Sequence, residues 1–121
     1  MANTRDSGQL LMVFVLNREE YLEEILTGFL EIGISGSTIL DSMGMGRILS
    51  HDVPIFAGLQ GMLSGGRPHN KTIFSVLPDQ ETFQAAAELI EDVCGKLEDK
   101  GIGILFSLEL TDVRGLKTGL D

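Results

Sequence analysis

Tryptophan is absent from the sequence, and cysteine and tyrosine occur once each. A lone Cys94 excludes an internal disulfide and leaves any thiolate metal cage without a second sulfur. No apolar run approaches the roughly 20 residues that span a bilayer. The opening "MANTRDSGQ" is polar and lacks the apolar centre of a secretory signal, so a cytoplasmic location and no membrane insertion are expected. Basic residues are scarce, nine Lys and Arg against eighteen Asp and Glu, for a formal net charge of −9. That balance argues against a phosphate-backbone binder, which relies on a basic patch; no nucleic-acid partner is expected.

What is present is enough for one folded unit. The chain has 121 residues, 43% of them apolar, which fits a single domain (1–121) with one core. "LLMVFVL", Leu10 to Leu16, is a continuous apolar run of strand length. Asn17 with Glu20 three residues later resembles a helix N-cap with its reciprocal glutamate. Leu22, Ile25, Leu26 and Phe29 then recur at helical spacing, and Gly33 stands where a helix stops. "STILDSM", Ser37 to Met43, has strand propensity, as does "TIFSVL", Thr72 to Leu77. Asp79 is a cap for a second helix striped by Phe83, Ala86, Ala87, Ile90, Val93, Cys94 and Leu97. "ILFSLEL", Ile104 to Leu110, alternates as a strand, with Ile104, Phe106, Leu108 and Leu110 on one face.

The order βαββαβ predicts an α+β, ferredoxin-like sandwich: a four-stranded antiparallel sheet with both helices on one face. Such a sheet has one face uncovered by its own helices. Yet the first strand is apolar on both faces, Leu11, Val13 and Val15 alternating with Met12, Phe14 and Leu16. Burying three such side chains stabilises by about 1.5–3 kcal/mol each. Another copy of the chain is the simplest cover.

Between Gly44 and Asn70 the pattern fails; six of the fifteen glycines, both histidines and two of the three prolines fall there. A stretch of this length without an element is functional or mobile. At its start, Gly44-Met45-Gly46-Arg47 is either a plain strand-ending turn or a backbone edge that lets a ligand approach beside a fixed charge. His51, Asp52 and His69 have no fixed ligand spacing, and no metal site is expected. Cys94 belongs to the apolar stripe of the second helix and reads as core. Glu19, Glu20, Glu23 and Glu24 form an acidic helix face. No nucleophile–base arrangement or metalloprotease signature is present, and no catalytic residue is assigned: the chain does not read as an enzyme.

The stretch "EIGISGSTILDSMGMGR", Glu31 to Arg47, resembles the nitrogen-regulatory PII signalling proteins. In that family a helix ends in Glu-x-Gly-Ile, a strand follows, and Gly-x-Gly-Arg opens a long T-loop. Glu31, Gly33, Ile34, Gly36 and Thr38 match in order, then Gly44, Gly46 and Arg47. "VLPDQETFQAAAELI", Val76 to Ile90, is similar to the family's third strand entering its second helix. The resemblance implies a homotrimer with intersubunit clefts for a small anionic effector, an adenine nucleotide (ATP, ADP or AMP), and a T-loop-like segment at about 44–71. Residues 50–70 would then dock on a protein target, a transporter, an enzyme or a regulator. The implied ligand-binding residues are Gly44 and Gly46 for backbone N–H groups, Arg47 for charge, Thr38 toward the base, and Lys96 and Arg114 as further basic points. The chain departs from the family at Ile48, where glutamine is usual, and at Glu98, Lys100 and Gly101 in the second glycine-rich loop. The alternative is a trimeric module akin to CutA-type proteins of the same architecture, without nucleotide sensing.

Overall fold

The computed structural model describes residues 7–45, 69–99 and 101–116. The segment expected as a T-loop lies largely outside them, including Gly46, Arg47, Ile48, His51 and a short apolar piece, "VPIFAGL" at 53–59. Lys100 lies outside them as well.

Four strands form one sheet in the order β2-β3-β1-β4. They are β1 (Gln9–Leu16), β2 (Thr38–Ser42), β3 (Asn70–Leu77) and β4 (Gly103–Leu110). Every neighbouring pair is antiparallel. Helix α1 (Leu22–Glu31) joins β1 to β2, and α2 (Gln80–Cys94) joins β3 to β4. This is the ferredoxin-like sandwich that the βαββαβ order predicts.

Register decides which side chains share a face. Phe14 sits opposite Ile73 and Leu105, and Leu10 opposite Leu77. Met12, Phe14, Leu16, Ile73 and Leu77 cluster with Ile25 and Phe29 of α1 and Ala86 and Ile90 of α2. Both helices therefore cover the same face, and the core lies between it and them. Phe83, Val93, Cys94 and Leu97 pack around that cluster as their spacing suggests, and Leu89 joins them.

The other parity makes the opposite face. Leu11 is flanked by Val76 and Leu108, Val13 by Phe74 and Phe106, and Val15 by Thr72 and Ile104. These three cross-strand rows are apolar but for Thr72, and neither α1 nor α2 covers them. Ile104, Phe106 and Leu108 are 57%, 41% and 51% exposed.

Local signals explain the ends of the elements. Helix α1 ends in a Schellman motif: Ile34 N–H donates to Phe29 C=O at 2.8 Å and Gly33 N–H to Leu30 C=O at 3.1 Å. Gly33 takes φ +95°, which only glycine adopts cheaply. Helix α2 begins at Asp79, whose carboxylate accepts from Thr82 N–H at 2.8 Å and Thr82 Oγ1 at 2.7 Å. Those bonds hold the Asp79 carboxyl below its ordinary range. The cap expected at Asn17 does not form. The helical path opens instead with a 3-10 turn over Glu19–Tyr21 that has no side-chain cap. Asn17 Oδ1 is already used, accepting from Asn70 Nδ2 at 3.2 Å.

Candidate functional site

Two regions border the uncovered sheet face, one at each end of β2. At its start, Ser37 precedes the strand and Thr38 pairs with Phe74. Ser75 is a buried polar residue between Ile73 and Leu77 on the core-facing side of β3. It accounts for its hydroxyl locally: Ser75 Oγ donates to Gly36 C=O and accepts from Ser37 Oγ at 3.2 Å. These bonds fix the Gly36–Thr38 backbone against β3. Beside it lies a groove of about 370 Å³. Gly36, Ser37 and Thr38 form one wall, Leu11, Phe74 and Val76 the sheet side, and Leu116 of the C-terminal segment also lines it. Among the described residues no charged side chain lines this groove. It suits the flat, weakly polar part of a ligand, with any anionic part bound by groups beyond it.

At the other end of β2, polar side chains tie together the two stems of the 46–68 segment. Ser42 Oγ donates to the Asn70 side-chain oxygen and lies 2.7 Å from Thr72 Oγ1. Asn70 is 7% exposed and passes the network on to Asn17. Lys71 pairs with Asp41 and lies 3.9 Å from Glu19. The bond to Asp41 raises the Lys71 ammonium above its ordinary range, and Lys71 lowers the Asp41 carboxyl.

The residues implied as ligand-binding are thus not all together within one chain. Thr38 lines the groove. Gly44 stands past the far end of β2, near Asn70. Lys96 follows α2, in the turn that leads to the start of β4. Arg114 follows β4, and its guanidinium pairs with Asp112 at 3.2 Å. Gly46 and Arg47 are outside the described residues. Gly36, Ser37, Ser75 and Leu116 escape a sequence reading. Only Ser75, a polar residue inside the apolar run from Ile73 to Leu77, gives a local signal.

Cys94 packs against the core, and burial, helped by Glu24 and Glu20, pushes its thiol up to about 11. It is therefore protonated at neutral pH and a poor nucleophile. Among the described residues no three His, Cys, Asp or Glu side chains converge on a metal-sized site, and no helix is long and apolar enough to cross a membrane.

No family model and no curated protein matches the chain. Solved structures do. Arabidopsis thaliana PII bound to citrate superposes with a TM-score of 0.60 at 18% identity, over 89% of this chain and 80% of that one. The B. subtilis GlnK–ATP complex gives 0.55 at 17% identity, over 87% and 84%. B. subtilis GlnK gives 0.53 at 13% identity, over 85% of each chain. Strand order, helix placement and these superpositions agree: the chain has the fold of the PII proteins, in a sequence far diverged from theirs.

Proposed function

We propose that this chain is a PII-like regulatory protein that assembles as a homotrimer, binds a small anionic effector between subunits, and controls a protein partner through the 44–71 segment. One observation carries the reading. The Gly36–Thr38 groove opens beside an apolar sheet face that the chain's own helices do not cover. A second copy seated on that face turns an open groove into a walled cleft. The uncharged groove then takes the base of an adenine nucleotide, with Thr38 as its polar contact. The phosphates lie toward Gly44, Gly46, Arg47, Lys96 and Arg114, contributed by the two copies that meet there. Two of the solved structures of this fold are described with anions, citrate in one and ATP in the other. The effector acts by binding one arrangement of the 44–71 segment more tightly than another.

The CutA-like reading shares the assembly but not the ligand. Its specific support is Arg114, whose charge is already paired with Asp112. Isothermal titration with ATP, ADP, AMP, a cyclic nucleotide and citrate separates the two. Heat with one of them, lost in Arg47→Ala and reduced in Thr38→Val, is the expected result. Silence with all five at millimolar concentration, from a protein that sediments as a trimer, overturns the sensor and leaves the module.

A further inference from the structure

The outer face of the helix layer carries a groove of its own. Helices α1 and α2 hold three and four carboxylates and no lysine or arginine. Between them lies a groove of about 480 Å³, with Gly28, Leu89 and Val93 in its floor and Glu23, Glu24 and Glu31 on its rim. Leu30, 55% exposed, stands three residues beyond Thr27 and adds apolar surface on the same flank of α1. Among the described residues these three glutamates have no ion-pair partner. From Glu23 to Glu31 the rim runs along about 12 Å of helix at 1.5 Å per residue.

An apolar floor inside an acidic rim selects its occupant. A second copy brings the same carboxylates and is repelled, as is a nucleic-acid strand. A segment with apolar side chains one helical turn apart matches the floor, and lysines or arginines beside them match the rim. We propose that the α1–α2 groove docks a basic amphipathic helix of a partner protein. The groove lies on the face opposite the uncovered sheet, so it stays open when copies meet through their sheets. The inference does not depend on effector binding.

The probe is a fluorescein-labelled synthetic helix with leucines at helical spacing on one side and lysines on the other, titrated with the full chain. Anisotropy reads affinity, and amide chemical shifts locate the contact. Binding is expected to move the resonances of Thr27, Gly28, Leu89 and Val93. The triple variant Glu23→Lys, Glu24→Lys, Glu31→Lys should weaken it at least about tenfold, since each exposed pair lost contributes a fraction of a kcal/mol and each reversal adds repulsion. A control triple with the same change of net charge, Glu98→Lys, Asp99→Lys and Glu109→Lys, reverses exposed carboxylates outside the groove and should bind as the native chain does. All six positions are exposed, so neither variant threatens the fold. No binding, equal loss in both triples, shifts clustered elsewhere, or the same shifts with calcium chloride alone each overturn the proposal.

Discussion

Replacing Phe106 by aspartate should separate the copies without unfolding them. Phe106 is 41% exposed in the single chain, between Ile104 at 57% and Leu108 at 51%. Full burial of such a side chain is worth about 1.5–3 kcal/mol, so covering its exposed half is worth about 1 kcal/mol, and the three together about 3 kcal/mol per copy. An aspartate forfeits the phenylalanine's share. It also brings a carboxylate into a seam with no cation in its cross-strand row, where Val13 is its neighbour and Phe74 stands beyond, a cost of several kcal/mol unless the group takes up a proton. Together the two effects reach about 4 kcal/mol at each contact, roughly a thousandfold in the association constant.

Sedimentation velocity over the micromolar range measures this directly. The native chain is expected as a trimer, and Phe106→Asp as a single folded subunit with an unchanged circular dichroism spectrum. Added salt should tighten native association slightly, because it screens repulsion between copies of net charge −9 while leaving apolar contact intact. A native chain that sediments as a folded monomer refutes the reasoning. So does a Phe106→Asp variant that assembles normally, since the sheet face would then not be the contact.

Other expectations concern the single chain. Phe14 is fully buried at the centre of the core, so Phe14→Ala should cost about 3–5 kcal/mol in urea unfolding; a loss below about 1 kcal/mol would contradict the core described. Gly103 has φ +149°, and a Cβ there would lie 2.0 Å from the Val15 carbonyl oxygen. Gly103→Ala should therefore destabilise by about 1–3 kcal/mol or more, and native-like stability would refute the close approach. The Asp79 carboxyl is held low by its bonds to Thr82. Its contribution is present above the ordinary carboxylate pKa and disappears as pH falls through the lower folded value. Asp79→Ala should lower Tm at neutral pH and flatten the acid limb of the stability profile, and an unchanged acid limb would refute the cap. Cys94 should react slowly with a thiol-directed disulfide reagent at neutral pH and rapidly once the chain is unfolded, whereas equal rates would show the thiol outside the core.

The regular elements were legible because their signals are local. The helical stripe of Leu22, Ile25, Leu26 and Phe29 and the two-fold alternation of Ile104 to Leu110 each fix a period without help from the rest of the chain. Even the uncovered face followed from one strand, since Leu11, Val13 and Val15 are as apolar as the core residues between them. What was not legible is long-range. Asn17 has the sequence context of a cap, but Asn70, 53 residues away, takes its side-chain oxygen. Ser75 and Gly36 are 39 residues apart, and Leu116 reaches their groove from beyond β4. The implied ligand residues divide for a local reason instead: Thr38 and Gly44 are close in sequence, but an extended strand of five residues holds them apart.

The two faces of the sandwich constrain each other. An apolar sheet face alone would let copies associate in many ways, including sheet against helix. The carboxylates of α1 and α2 remove helix against helix by repulsion. Placing them against the sheet face would strip charges of water over Phe74, Val76 and Phe106, which offer nothing in return. Sheet-to-sheet contact is what remains, and it is the contact that would bring the Gly36–Thr38 groove to a seam in the proposed assembly. The acidity that argues against a nucleic-acid partner would thus also orient the proposed assembly, and it would leave the helix layer open to the proposed partner of opposite charge.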